Sequence, residues 1–373
     1  MAEISMFYHK YDREMFVLSK KDILYQIMVK SEVDMVLITD PYSLRYYTGF
    51  RGGEGIALST TGRYVLITDS RYTEAACKES DFTVIEYNQE KPLFDIINEI
   101  ISEDNVTRLG IEDHSMVYAD FHKFRQNLKN IKLWIALDNA LVIPRRIKTK
   151  EEIGLLRTAE SIGDNAFEDI CGILKPGMTE LEVAAELEYS MKKHGAEGLS
   201  FDTIAASGIN SSMPHAIPSE KKLENGDFIT MDFGCKYHGY CSDMTRTVSI
   251  GKASDEQKNI YSIVLEANML VQDKIHAGMT GREADALARN FIADRGFGKC
   301  FGHGLGHSVG LYIHESPYLN MHETNVLSPG MIETDEPGIY IPGKFGVRIE
   351  DMILITDDGC ETFSHSPKQL IEL

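Results

Sequence analysis

Met231-Asp232-Phe233-Gly234-Cys235-Lys236-Tyr237-His238-Gly239-Tyr240-Cys241-Ser242-Asp243 reads as two apolar strands closed by a turn at His238-Gly239. Glycine takes the positive φ that a tight hairpin turn needs, so the stretch predicts a β-hairpin. With the turn as centre, Asp232 and Asp243 are expected to face each other on one side of the sheet. Opposed carboxylates repel, so a positive group is expected between them. The device recurs about a hundred residues later. Thr334-Asp335-Glu336-Pro337-Gly338-Ile339-Tyr340 and Gly346-Val347-Arg348-Ile349-Glu350-Asp351 flank a turn at Pro342-Gly343. Glu336 and Glu350 are symmetric about it. Between the two hairpins lies His303-Gly304-Leu305-Gly306-His307-Ser308-Val309-Gly310-Leu311-Tyr312-Ile313-His314-Glu315.

Surface carboxylates on solvated hairpins would not be flanked by Phe228, Ile229, Met231 and Phe233, or by Ile339, Val347, Ile349, Met352 and Ile353. Four carboxylates and a histidine among apolar residues point to a two-metal hydrolytic site. Carboxylate oxygens plus one imidazole suit Mn²⁺, Co²⁺ or Fe²⁺ better than a tetrahedral structural zinc. Glycines at 302, 304, 306 and 310 exclude a helix, so His303 and His307 do not share a helical face. One of the two is expected on metal and the other beside it. His314 follows a strand-like Leu311-Tyr312-Ile313 and reads either as a hydrogen-bonded core histidine or as a substrate contact. His215, in Asn210-Ser211-Ser212-Met213-Pro214-His215-Ala216, is a lone loop histidine that the residues alone leave open.

A chain of 373 residues has room for two domains. Its 43% hydrophobic and 25% charged residues are those of a globular protein. A net charge of -19 argues against nucleic acid or an anionic membrane as partner. Met1 to Lys10 has no long apolar run, so no signal peptide is expected, and nothing approaches a membrane span. Six scattered cysteines without a CxxC pair read as free thiols of a cytoplasmic protein, although Cys235 and Cys241 could approach each other.

Residues 1–144 alternate strands (Met35–Ile38, Ile56–Leu58, Tyr64–Ile67, Leu109–Ile111, Leu133–Ile135) with helices (Leu93–Ile101, Asp120–Leu128), an α/β domain without chemistry of its own. The basic Pro144-Arg145-Arg146-Ile147-Lys148 marks the boundary to a second domain, residues 145–373. Thr149 and Glu152 form a capping box that opens a helix from Lys150 to about Leu174, stopped by Pro176-Gly177. Pro176-Gly177-Met178-Thr179 through Glu182 is echoed by Ala277-Gly278-Met279-Thr280 through Glu283. Each echo precedes an acidic hairpin, so two similar halves are expected around a pseudo-two-fold axis with metals on it.

These motifs closely resemble the proline-peptide metallopeptidases of the pita-bread fold, prolidase (Xaa-Pro dipeptidase) and aminopeptidase P. The run His303 to Glu315 looks like their signature. Tyr46-Tyr47-Thr48-Gly49-Phe50 and Ile67-Thr68-Asp69-Ser70-Arg71-Tyr72 look like the family's creatinase-like N-terminal domain. The resemblance implies metal ligands at Asp232, Asp243, His307, Glu336 and Glu350, with Asp243 and Glu350 touching both of two divalent ions, manganese foremost and cobalt, iron or zinc as substitutes. It implies substrate-side histidines at His215, His303 and His314, an arginine supporting the carboxylates at Arg348, and Glu336 as proton carrier. The implied reaction is hydrolysis of Xaa-Pro bonds in short peptides by a homodimer. Glu333 departs from the pattern, which has an apolar residue there, and is expected to add negative charge at the site. The glycine-rich Arg51-Gly52-Gly53-Glu54-Gly55 is expected to be a mobile lid that sets substrate length. Methionine aminopeptidase resembles only the second domain. Creatine amidinohydrolase resembles both domains but lacks the carboxylate set. A metal-free scaffold of the same fold would have lost ligands that this chain keeps.

Overall fold

Met35-Val36-Leu37-Ile38 form β1 (Met35–Ile38), and all four side chains are buried. Apolar residues at every position, instead of alternate ones, suit a strand covered on both faces. The computed structural model describes residues 18–373 and sets β1 within a six-stranded sheet. Its other strands are β2 (Ile56–Thr60), β3 (Tyr64–Thr68), β4 (Thr83–Glu86), β5 (Arg108–Ile111) and β6 (Leu133–Ala136). The spatial order is β4-β3-β2-β1-β5-β6. β1, β2 and β3 pair antiparallel, and the outer strands join in parallel.

Helices α1 (Lys20–Lys30), α2 (Pro41–Thr48), α3 (Thr73–Glu79), α4 (Leu93–Glu103) and α5 (Tyr118–Asn127) accompany this sheet. Ile96, Ile97, Ile100 and Ile101 make one apolar face of α4, packed with Leu37, Leu58, Ile67 and Leu109. The sequence reading missed α1, α2 and α3. The last two have only eight and seven residues, too short for a helical period to stand out. The Asp40-Pro41 pair that follows β1 is also the start of α2: Asp40 caps Ser43 N and Pro41 fills the first turn. The loop expected to be a lid carries two ion pairs at the surface. Arg51 Nη2 reaches Glu79 at 2.9 Å, and Arg71 Nη2 reaches Glu54 at 2.7 Å.

The chain divides into two units between Arg145 and Arg146. The second unit is built twice over. Its helices α6 (Lys150–Cys171), α7 (Glu180–Lys193), α8 (Asp255–Lys274) and α9 (Gly281–Asp294) each open with a reciprocal capping box: Thr149 with Glu152, Thr179 with Glu182, Ser254 with Gln257, Thr280 with Glu283. Ahead of α7 and α9, Gly177 and Gly278 hold φ of 93° and 97°. The caps Thr179 and Thr280 each make a lone β-bridge, to Lys222 and Val326. The short sequence echo is therefore a structural repeat. α6 ends at Cys171, three residues before the expected stop.

The first half packs α6 and α7 on the sheet formed by β8 (Ile204–Ser207), β9 (Phe228–Phe233) and β12 (Met244–Ser249), around Leu187, Ile229, Met231 and Phe233. A smaller sheet joins β7 (Gly198–Leu199), β10 (Cys235–Tyr237) and β11 (Tyr240–Cys241). The second half packs α8 and α9 around Ile260, Val264, Ile339, Val347 and Ile353. Its strands are β13 (Gly306–Ser308), β14 (Glu315–Leu319), β15 (Ile332–Asp335), β18 (Asp351–Ile355) and β19 (Cys360–Thr362), with β16 (Gly338–Ile341) and β17 (Phe345–Arg348) as a separate hairpin. The fold is thus mixed α/β, with the strands of both halves turned toward one cleft. All six cysteines are free. Cys235 Sγ points to Ala159 O and Cys241 Sγ to Leu311 O, so the two do not pair. Among the described residues no helix is long and apolar enough to cross a membrane.

Candidate metal centre

The turn at His238-Gly239 has positive φ at both residues, 44° and 76°. It pairs Tyr237 with Tyr240 and Lys236 with Cys241, and the same register carries on to pair Asp232 with Thr245 and Phe233 with Met244. Asp243 is therefore not directly opposite Asp232, as symmetry about the turn predicts, but a diagonal neighbour. Counting from the turn explains the difference, since Asp232 lies six residues before His238 and Asp243 only four after Gly239. The second hairpin behaves as read. Gly338 pairs with Arg348, which leaves Glu336 and Glu350 equally far beyond the last pair. A positive group stands beside one of the two carboxylates: Arg348 Nη2 donates to Asp232 Oδ2 at 2.7 Å.

Asp232, Asp243, His307, Glu336 and Glu350 all line one cleft of about 410 Å³, together with His215, His303, His314 and Arg348. Donor atoms of Asp243, His307 and Glu350 lie within 4.8 Å of one another. His307 Nε2 stands 3.5 Å from Asp243 Oδ2 and 3.7 Å from Glu336 Oε1. Asp232 and Glu336 stand outside the tightest trio but in the same cleft. Asp232 Oδ1 is buried with no hydrogen-bond partner among the described residues. Burial, then repulsion from neighbouring carboxylates (Glu350 and Asp232 at Asp243, Glu336 and Asp232 at Glu350), raises the Asp243 and Glu350 carboxyls well above the carboxylate range. Burial raises Glu336 to about 8. Burial and the neighbouring His314 lower His307 to about 4, so it is a neutral imidazole with an available lone pair. Oxygen donors forced together, one unpaired, plus a neutral imidazole fit divalent cations, which would relieve the repulsion.

The supports come from bonds the sequence did not announce. Thr245 Oγ1 donates to Glu350 Oε2 at 2.6 Å and accepts from Arg348 Nε at 2.9 Å. Thr334 Oγ1 accepts from His307 N at 3.0 Å and donates to Glu336 Oε1 at 3.3 Å. Arg348 Nη1 donates to Tyr340 Oη at 2.9 Å. Tyr340 Oη then faces His303 Nε2 at 2.9 Å, while His303 Nδ1 faces Gly304 O at 2.8 Å. A carbonyl only accepts, so Nδ1 carries the proton and Nε2 accepts from the tyrosine. Both His303 nitrogens are committed. His314 is exposed in the cleft and stacks edge-on to His307, ring centroids 4.6 Å apart, so it is not a core histidine. Its approach also differs from expectation: residues 311–313 are bends, and the strand begins only at Glu315. Spacing could have flagged Thr245, two residues after Asp243 on an alternating strand. Nothing local marks Tyr340.

Glu333 does not crowd the cleft. It is fully buried, paired in register with Ser308 and Ile353, and absent from the cleft lining. Strand alternation turns Thr334 to the site and Glu333 away from it. Both its oxygens lack hydrogen-bond partners among the described residues, and burial holds its carboxyl neutral well above the usual range.

Residues 154–357 match the model of metallopeptidase family M24, and residues 22–141 match that of the creatinase/prolidase N-terminal domain. The chain is 44% identical, over 91% of its length and 96% of the relative's, to the uncharacterised peptidase YqhT of Bacillus subtilis. It superposes on the Xaa-Pro dipeptidase from Bacillus anthracis with a TM-score of 0.92 at 43% identity, covering 95% of this chain and 99% of the other. The X-Pro aminopeptidase from Thermotoga maritima matches with a TM-score of 0.87 at 38% identity, covering 92% and 100%.

Proposed function

Because the chain belongs to metallopeptidase family M24, with the creatinase-like and pita-bread domains of that family, we propose that it hydrolyses Xaa-Pro bonds in short peptides with two divalent metal ions, foremost manganese. The observation that carries this reading is the convergence of Asp243, His307 and Glu350 within 4.8 Å beside Asp232 and Glu336. The relatives named Xaa-Pro dipeptidase and X-Pro aminopeptidase support the choice of bond. Asp232, Asp243, His307, Glu336 and Glu350 would hold the metals. Bound there, they supply Lewis acidity and an activated water at neutral pH.

The rest is the work of this chain's own groups. Arg348 and Thr245 fix Asp232 and Glu350 in place. Cations in the cleft would bring Glu336 down from about 8 to its ionised form. It then takes a proton from the attacking water and delivers it to the leaving proline nitrogen. With both nitrogens of His303 committed, His314 and His215 are the imidazoles left to donate to the carbonyl oxygen as charge develops on it. His303 holds Tyr340, and through it Arg348. The proline nitrogen has no N–H, so nothing in the cleft needs to receive one. Six free cysteines suit the reducing cytoplasm, where we place the protein, as a homodimer.

The test is hydrolysis of Ala-Pro-Ala against Ala-Ala-Ala by Mn²⁺-loaded protein, before and after exhaustive chelation. Cleavage confined to the proline peptide and lost on chelation is expected. Cleavage that survives with metal shown absent would falsify the reading.

A further inference from the structure

Charges in the cleft are unevenly shared. Arg348 is the one arginine or lysine among its described lining residues. Its donors already serve Thr245 Oγ1, Pro214 O, Tyr340 Oη and Asp232 Oδ2, at 2.7 to 3.3 Å. His303 has both ring nitrogens committed, to Gly304 O and Tyr340 Oη, and His307 stands in the donor trio with Asp243 and Glu350. Four ligand carboxylates offset two divalent cations, so a loaded centre leaves no net positive charge to spare. A carboxylate brought into such a cleft loses water without gaining an ion pair.

The opposite holds for a substrate cation. Asp202 lines the same cleft from the loop between β7 and β8. It is exposed, and no hydrogen bond or ion pair to its carboxylate occurs among the described residues. It is the one lining carboxylate outside the five-ligand set. An Xaa-Pro dipeptide carries an ammonium at one end and a carboxylate on the proline itself. A third residue carries that carboxylate on by about 3.5 Å of extended chain.

Resting on the Xaa-Pro reading, we propose that the cleft holds its peptide by the amino end: Asp202 receives the α-ammonium group, and peptides that continue beyond the proline are preferred to Xaa-Pro dipeptides. Asp202 is then a specificity residue, distinct from the groups that act on the bond.

The experiment pairs Asp202→Asn with a substrate lacking the ammonium group. Mn²⁺-loaded wild type and variant are compared on Ala-Pro-Ala and on propionyl-Pro-Ala, which keeps the shape without the amine. The substitution should lower kcat/KM for Ala-Pro-Ala by about 10- to 100-fold, as loss of a hydrogen bond between charged groups does. The loss should lie mainly in KM, be far smaller for propionyl-Pro-Ala, and be partly restored in Asp202→Glu. Equal losses on both substrates, or no loss, would overturn the role of Asp202. A loss confined to Lys-Pro-Ala would overturn it too, since the carboxylate would then read a basic side chain. In wild type, Ala-Pro-Ala should exceed Ala-Pro by about tenfold or more, the scale of one unpaired charge. Ala-Pro hydrolysed as well as the tripeptide overturns this inference alone. Hydrolysis of none of these peptides overturns the parent reading and this one with it.

Discussion

Thr245 joins the two halves of the site with a single hydroxyl. It gives its proton to Glu350 and takes one from Arg348, which in turn holds Asp232. Thr245→Val keeps the shape and removes the hydroxyl. Partners behind metal ligands typically contribute 10- to 100-fold in metal affinity, so a Mn²⁺ titration of this variant should show a Kd raised by about that factor. An unchanged Kd would make Thr245 mere packing. His314→Ala should lower turnover by about 10²-fold, the usual loss of one donor to a developing oxyanion, with metal content kept. Joint loss of metal and turnover would instead place His314 on the metal. The clustering of these carboxylates was legible in the sequence because acidic residues stood among apolar ones that only a core would hold. Thr245 and Tyr340 were not, because their roles are bonds to residues far away in sequence or at the opposite corner of a hairpin. Glu333 was misread for a related reason. Closeness to Glu336 in sequence says nothing about which face of a strand a side chain takes.

At the scale of elements, β13 must come very close to β15 for His307 to reach Glu336. A Cβ on Gly306 would sit 2.0 Å from Thr334 O, a backbone atom that cannot step aside. Gly306→Ala should therefore cost about 1–3 kcal/mol in denaturant unfolding, as overpacking does, and weaken Mn²⁺ binding as the strands part. Wild-type stability and affinity in this variant would refute the close approach. On α6, Glu160 is fully buried against Ser364, and burial lifts its carboxyl from 4.5 to about 8. Folded protein then holds a proton that unfolded protein releases. The stabilisation is complete below pH 4.5 and is lost as pH rises toward 8. Its contribution to the slope is at most about 1.4 kcal/mol per pH unit. Glu160→Gln should flatten stability against pH across that window; an identical slope would mean that Glu160 ionises freely. The helices opened by Thr149, Thr179 and Thr280 were legible from their capping boxes, α4 from its apolar run, and the central strands from theirs; α1 was not, although Ser19 and Asp22 cap it in the same way. The hairpin register was not, since a two-residue difference in arm length looks like symmetry until the turn pairs are fixed.

Across the whole molecule, the duplicated halves bring carboxylates together that would otherwise repel. Asp243 and Glu350 are held at raised pKa until something positive arrives. Two-domain organisation, the repeat and the site's place between the halves followed from the sequence and its resemblance. The relation of the Arg51–Gly55 loop to substrate length did not, because loop glycines report conformational freedom and not position. The central claim is that this convergence exists to bind metal. It is tested most directly by counting metal on the chain. Protein loaded with Mn²⁺ and freed of excess by gel filtration should carry about two ions per chain, as a paired hydrolytic centre requires. Asp243→Ala, still folded by circular dichroism, should carry far fewer. Wild type that emerges without metal, or a variant that retains the full complement, would contradict the account.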